Sequence, residues 1–135
     1  MRRVAYPVAL VLLLVSASAV RAASPDVERG RYIVERVGMC ADCHSPRDQT
    51  GAPIAEMAFG GAPIGFAPMH PMPVWAEYAP RLMGLPAGYD AVSLARFLQT
   101  GVRPDGSEAR PPMPPYRLDA DDAASVAAYL ESLAR

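Results

Sequence analysis

Two cysteines three positions apart, with a histidine directly after the second, constrain this 135-residue chain more than any other feature: Cys40-Ala41-Asp42-Cys43-His44. On a helical turn, thiols at this spacing reach two points along one edge of a porphyrin, and the next residue brings its imidazole beneath the metal. The pattern reads as covalent attachment of one c-type haem through Cys40 and Cys43, with His44 on the iron. Neutral imidazole ligates well, and its second ring nitrogen usually donates to a backbone carbonyl. The carbonyl of Pro46, just beyond the motif, is the expected acceptor.

Three other chemistries use similar residues. A thioredoxin-type dithiol wants a strand before the motif and a helix after it, whereas here a helix precedes it. Zinc would need Cys40, Cys43, His44 and His70 together, the only Cys and His in the chain, and adjacent Cys43 and His44 fit a tetrahedron poorly. A plain disulfide across two intervening residues is strained and leaves His44 without a task.

The start of the chain has the three parts of an export signal. Arg2 and Arg3 are followed by an uncharged run from Ala5 to Val20 and by small residues at Val20-Arg21-Ala22, so residues 1–22 are expected to be a cleaved signal peptide. That run of 16 residues is shorter than the ~20 a membrane-spanning helix prefers. Residues 23–135 are then one domain, located in the periplasm and without a membrane span. Loss of Arg2, Arg3 and Arg21 leaves ten arginines, no lysine and 14 acidic residues. An acidic protein gains nothing from counterion release, so nucleic acid and anionic lipid are excluded as partners.

Haem iron held only by His44 keeps one position open, and a downstream methionine or histidine is needed to fill it. Met113 lies in Arg110-Pro-Pro-Met-Pro-Pro-Tyr116, where prolines stiffen the backbone and lower the entropy of holding a thioether. It follows His44 by 69 residues, enough chain to travel around a haem edge. Met113 is the expected axial ligand. Met69, His70 and Met72, in Pro68-Met-His-Pro-Met-Pro73, are the competing candidates.

Helical periodicity frames these motifs. Ser24 is expected to cap a helix that begins at Pro25 and runs to about Val37, burying Val27, Gly30, Val34 and Val37. Asp90 to Thr100 reads as a helix stopped by Gly101, with Leu94 and Leu98 buried, and Asp119 caps a final helix to about Ala134 along Val126, Tyr129, Leu130 and Leu133. Residues 45–88 are rich in proline and glycine without strand-like alternation. So long an irregular span suits a fold only where it wraps a large apolar cofactor.

With these residues in hand, the chain resembles the class I single-haem c-type cytochromes over nearly all of residues 23–135. The resemblance implies an all-α, cytochrome c-like domain of three to four helices with long Pro/Gly-rich loops around one haem. It implies that the first and last helices cross where Gly30 meets Tyr129, and that Met113 is the axial thioether. It further implies an electron carrier rather than an enzyme, whose partners are other redox proteins. Phe97-Leu-Gln-Thr-Gly-Val-Arg-Pro-Asp-Gly-Ser107 before Pro-Pro-Met is similar to cytochrome subunits serving periplasmic dehydrogenases. A binding module for gas or small ligands with a displaceable sixth ligand, or a small haem enzyme using His70 and Arg81, are the alternatives. The stretch from Gly60 to Trp75 is longer than a minimal carrier needs. There the indole of Trp75 is expected either to donate to a haem carboxylate or to pack in the core.

Overall fold

The computed structural model describes residues 24–134, and the expected signal segment at residues 1–22 lies outside them. Four helices follow in order: α1 (Val27–Tyr32), α2 (Ala41–His44), α3 (Ala91–Thr100) and α4 (Ala120–Ser132). The family-like, mostly helical architecture holds, with one addition in the middle span. Strands β1 (Ala62–Pro63) and β2 (Tyr78–Ala79) form a two-stranded antiparallel sheet that pairs Ala62 with Ala79 and Pro63 with Tyr78. None of the described helices is long and apolar enough to cross a membrane.

The first helix departs from expectation at both ends. Its cap is Asp26, not Ser24, and the Asp26 carboxylate accepts from the backbone N–H groups of Glu28 and Arg29. A carboxylate meets the positive helix end better than a hydroxyl does, so the cap moves two residues inward and Pro25 falls outside. After Tyr32 the chain widens into a π-helical segment, Ile33–Val37, closed by the Gly38 N–H on the Ile33 carbonyl at 2.7 Å. The wider turn rotates the buried face. Ile33 and Val34 enter the core, while Val27 and Val37 are exposed instead of buried.

Helices α3 and α4 match their sequence signals closely. Asp90 and Ser93 form a reciprocal cap on α3, and Gly101 ends it at φ 75°, a left-handed conformation that glycine adopts without cost. Asp119 caps α4 through the Asp122 N–H, and the helix stops at Ser132, two residues short of the expected Ala134. Leu94 and Leu98 of α3 meet Val126 and Leu130 of α4 together with Ile33 and Val34 in one core. Full burial of such a side chain contributes about 1.5–3 kcal/mol, so this cluster dominates the packing energy.

Helices α1 and α4 meet at Gly30. A Cβ at Gly30 would overlap the Ser125 carbonyl and lie 2.9 Å from the Tyr129 Cβ. Only glycine allows the two backbones to approach this closely. The crossing carries polar fasteners as well: the Asp26 N–H donates to the Ser125 hydroxyl at 3.0 Å, and Tyr129 donates to Glu35 at 2.6 Å. Arg29 grips both oxygens of Asp122 at 2.8 Å.

Candidate cofactor site

Between the helical core and the irregular middle span lies an apolar cavity of about 560 Å³. Cys40, Cys43, His44 and Met113 all line it, although 69 residues separate the last two. Its floor is core, with Leu94, Leu98 and Leu130 contributing, and its cations are Arg103 and Arg110.

The short α2 turn places the motif. Met39 takes φ 46° and reverses the chain out of the π segment, after which Cys40 begins a helical turn whose carbonyl receives the His44 N–H at 2.9 Å. His44 is buried, and its Nδ1 lies 2.6 Å from the carbonyl oxygen of Pro80. Here the expectation of Pro46 is corrected: the Pro46 carbonyl accepts from the Ile54 N–H instead. The physical reason is local. Ser45 leaves the turn in extended backbone, whereas Pro80, the residue after β2, brings its carbonyl to the imidazole. Nδ1 then holds the proton, and Nε2 is left as the nitrogen able to accept a metal. Burial pushes the imidazole below its ordinary pKa, with the Pro80 carbonyl acting the other way, so the ring is neutral at pH 7.

Cys40 and Cys43 are not joined in a disulfide. Burial pushes the Cys40 thiol up to about 11, the opposite of the depressed thiol used by dithiol oxidoreductases. No cluster of three or more Cys, His, Asp or Glu side chains suited to a metal ion occurs among the described residues.

Of the competing sulfur and nitrogen donors, Met113 is half-buried in the cavity lining, and Met39 also borders it. Met69 is 95 % exposed, and Met72 faces a separate, shallow cleft with Phe66 and Trp75. Trp75 packs edge-on against Phe66 at 5.7 Å, outside the core cluster and outside the lining of the large cavity, so the expected core packing is not what it does. Arg81 is exposed and likewise outside the lining.

Sequence reasoning missed three contributors. Pro80 carries no local signal, since only the tertiary fold brings it to His44. Tyr116 was named merely as the end of the proline loop, yet it lines the cavity and donates to the Gly38 carbonyl at 2.8 Å. Burial pushes its phenol up to about 12, keeping it a donor. Arg110 is the third.

Two unpaired thiols, a neutral imidazole with one free nitrogen, and a thioether around one apolar chamber are the donor set a covalently held haem needs. The chamber size lies within the range that encloses a large cofactor. Comparison with known proteins agrees with this fit. Residues 27–134 match the family model described as cytochrome c. A diheme cytochrome c-type protein of Cereibacter sphaeroides is 29 % identical over 113 residues, covering 80 % of this chain. This chain spans only 36 % of that relative's length. On the match of the family model across the whole helical domain, the chain belongs to the cytochrome c family.

Proposed function

We propose that this chain is an exported electron carrier with one haem, attached through Cys40 and Cys43 and held on iron by His44 and Met113. Haem c, when bound, supplies an iron that gains and loses one electron. The observation that carries the reading is the convergence of all four side chains on one apolar chamber. One haem follows from the cysteine count, because the chain has two cysteines and therefore a single attachment motif.

Each residue has a defined task. Cys40 and Cys43 anchor, both half-buried in the chamber lining. His44 is oriented by Pro80 and presents Nε2. Met113 offers a thioether, a weaker donor than a second imidazole, which favours the reduced state and raises the potential. The apolar lining acts in the same direction by disfavouring the extra charge of the oxidised centre.

Residues 1–22 act as the export signal in this reading, and residues 23–135 work in the periplasm. Partners are other redox proteins, met in weak, short-lived contacts that let the carrier leave after delivery. Similarity to part of a diheme cytochrome supports exchange with a second haem protein, and the Phe97–Ser107 segment supports service to a dehydrogenase.

Met113→Ala tests the ligand set. The purified holoprotein is expected to lose the thioether-to-iron absorption band and to fall in reduction potential. An unchanged spectrum would move the ligand to residues 69–72. Mass analysis of the exported protein should show one tetrapyrrole and a start at Ala23.

A further inference from the structure

The five residues between Arg110 and Tyr116 are Pro-Pro-Met-Pro-Pro, so Met113 has the only backbone N–H in that stretch. Proline has no donor, and a segment built this way cannot fasten itself to its surroundings through its own amides. Met113 spends its single N–H on the Arg110 carbonyl at 3.1 Å, closing a turn onto Arg110 itself. Whatever fixes Arg110 therefore fixes the methionine.

Arg110 is fixed by its guanidinium. Nε donates to the Val74 carbonyl at 3.1 Å and Nη2 to the Trp75 carbonyl at 2.9 Å. Beside this fork, the Ala76 N–H donates to the Pro111 carbonyl at 2.7 Å. Three bonds thus tie residues 74–76 to residues 110–111. The same stretch continues into β2 and then to Pro80, the acceptor for His44. One side chain links the segment bearing the thioether to the segment that orients the imidazole.

We propose that Arg110 is the positioning residue that retains Met113 in the chamber, acting through its two-pronged grip on the Val74 and Trp75 carbonyls and not through its charge. The proposal rests on Met113 as the iron ligand. A guanidinium presents a rigid fork that spans two adjacent carbonyls, whereas an ammonium is a single point, so lysine keeps the charge and loses the span.

The test compares wild-type, R110A, R110K and M113A holoproteins. Imidazole is titrated into each ferric protein while the thioether-to-iron band is followed, and amide hydrogen exchange at Ala76 and Met113 is read by NMR. Hydrogen bonds from a charged donor are strong enough that losing the fork should let imidazole displace the thioether at about tenfold lower concentration. Both R110A and R110K should show this, with faster exchange at both amides. Wild-type behaviour in R110K beside a weakened R110A would assign the effect to charge and overturn the proposal. Wild-type imidazole affinity in both variants would overturn it as well, even with altered exchange. Should R110A not accumulate as holoprotein, R110K alone decides. If M113A keeps its band, the ligand assignment fails and the proposal with it, while a lost band in M113A beside unaltered Arg110 variants sinks the clamp alone.

Discussion

Gly30 illustrates how one missing methyl sets the geometry of the whole helical pair. Replacing glycine by alanine inside a helix ordinarily gains about 1 kcal/mol. At this position the added carbon would overlap a backbone carbonyl of α4, which cannot rotate away as a side chain could. Overpacking of that kind costs typically 1–3 kcal/mol and more when backbone must move, so the clash outweighs the propensity. Gly30→Ala should lower the midpoint of thermal unfolding by more than about 5 °C. A melt equal to or above wild type, followed by circular dichroism, would show that α1 and α4 are not in such close contact. The glycine was visible in the sequence as an odd member of a helical face, and its partner Tyr129 followed from family resemblance. Ser125, which makes the nearer contact and also accepts from the Asp26 N–H, had no such signal because small polar residues are common in any helix.

Among the elements, legibility follows how many competing signals each terminus carries. Helices α3 and α4 begin at single unambiguous caps, Asp90 and Asp119, and their starts were read correctly. Helix α1 offers both Ser24 and Asp26, and the carboxylate prevails. Its π-helical continuation is a property of hydrogen-bond register rather than composition, so the exposure of Val27 and Val37 could not be read from periodicity. The clasp of α1 on α4 also titrates. Arg29, hydrogen-bonded to Asp122, holds that carboxyl below its usual range. A depressed folded-state value means the clasp contributes fully above the unfolded carboxylate value, about 3.9, and is lost as pH falls through the folded one. Because Arg29 is half-exposed, the contribution is small and screened by salt. The difference in urea midpoint between wild type and Asp122→Asn is expected to be present at pH 7 and to close towards pH 3. A gap as large at pH 3 as at pH 7 would show that Asp122 acts through packing instead.

For the whole molecule, the site was legible where function concentrates residues in sequence, and illegible where the fold alone assembles them. Cys40, Cys43 and His44 announce themselves by spacing, and Met113 by its prolines. Pro80 and Arg110 act through backbone carbonyls, which every residue has, and so leave no compositional trace. The same division governs stability. With nothing in the chamber of about 560 Å³, the apolar surface of Leu94, Leu98 and Leu130 that lines it is left unburied, a loss set against the marginal stability of a domain. The double variant Cys40→Ala, Cys43→Ala, produced without haem, should therefore show no cooperative unfolding transition by calorimetry and should bind a hydrophobic dye. A sharp transition matching that of the holoprotein would mean the chain folds without its prosthetic group. The two paired positions of the β1–β2 sheet add almost nothing to this balance, yet they bear directly on His44. They decide which carbonyl is presented to His44, so sliding Tyr78-Ala79 by one step along Ala62-Pro63 would take Pro80 away from the imidazole and loosen its proton. A ribbon too small to matter for folding thus sets the proton and orientation of the imidazole, and under the proposed ligation the tuning of the centre would be lodged outside the helices of the domain.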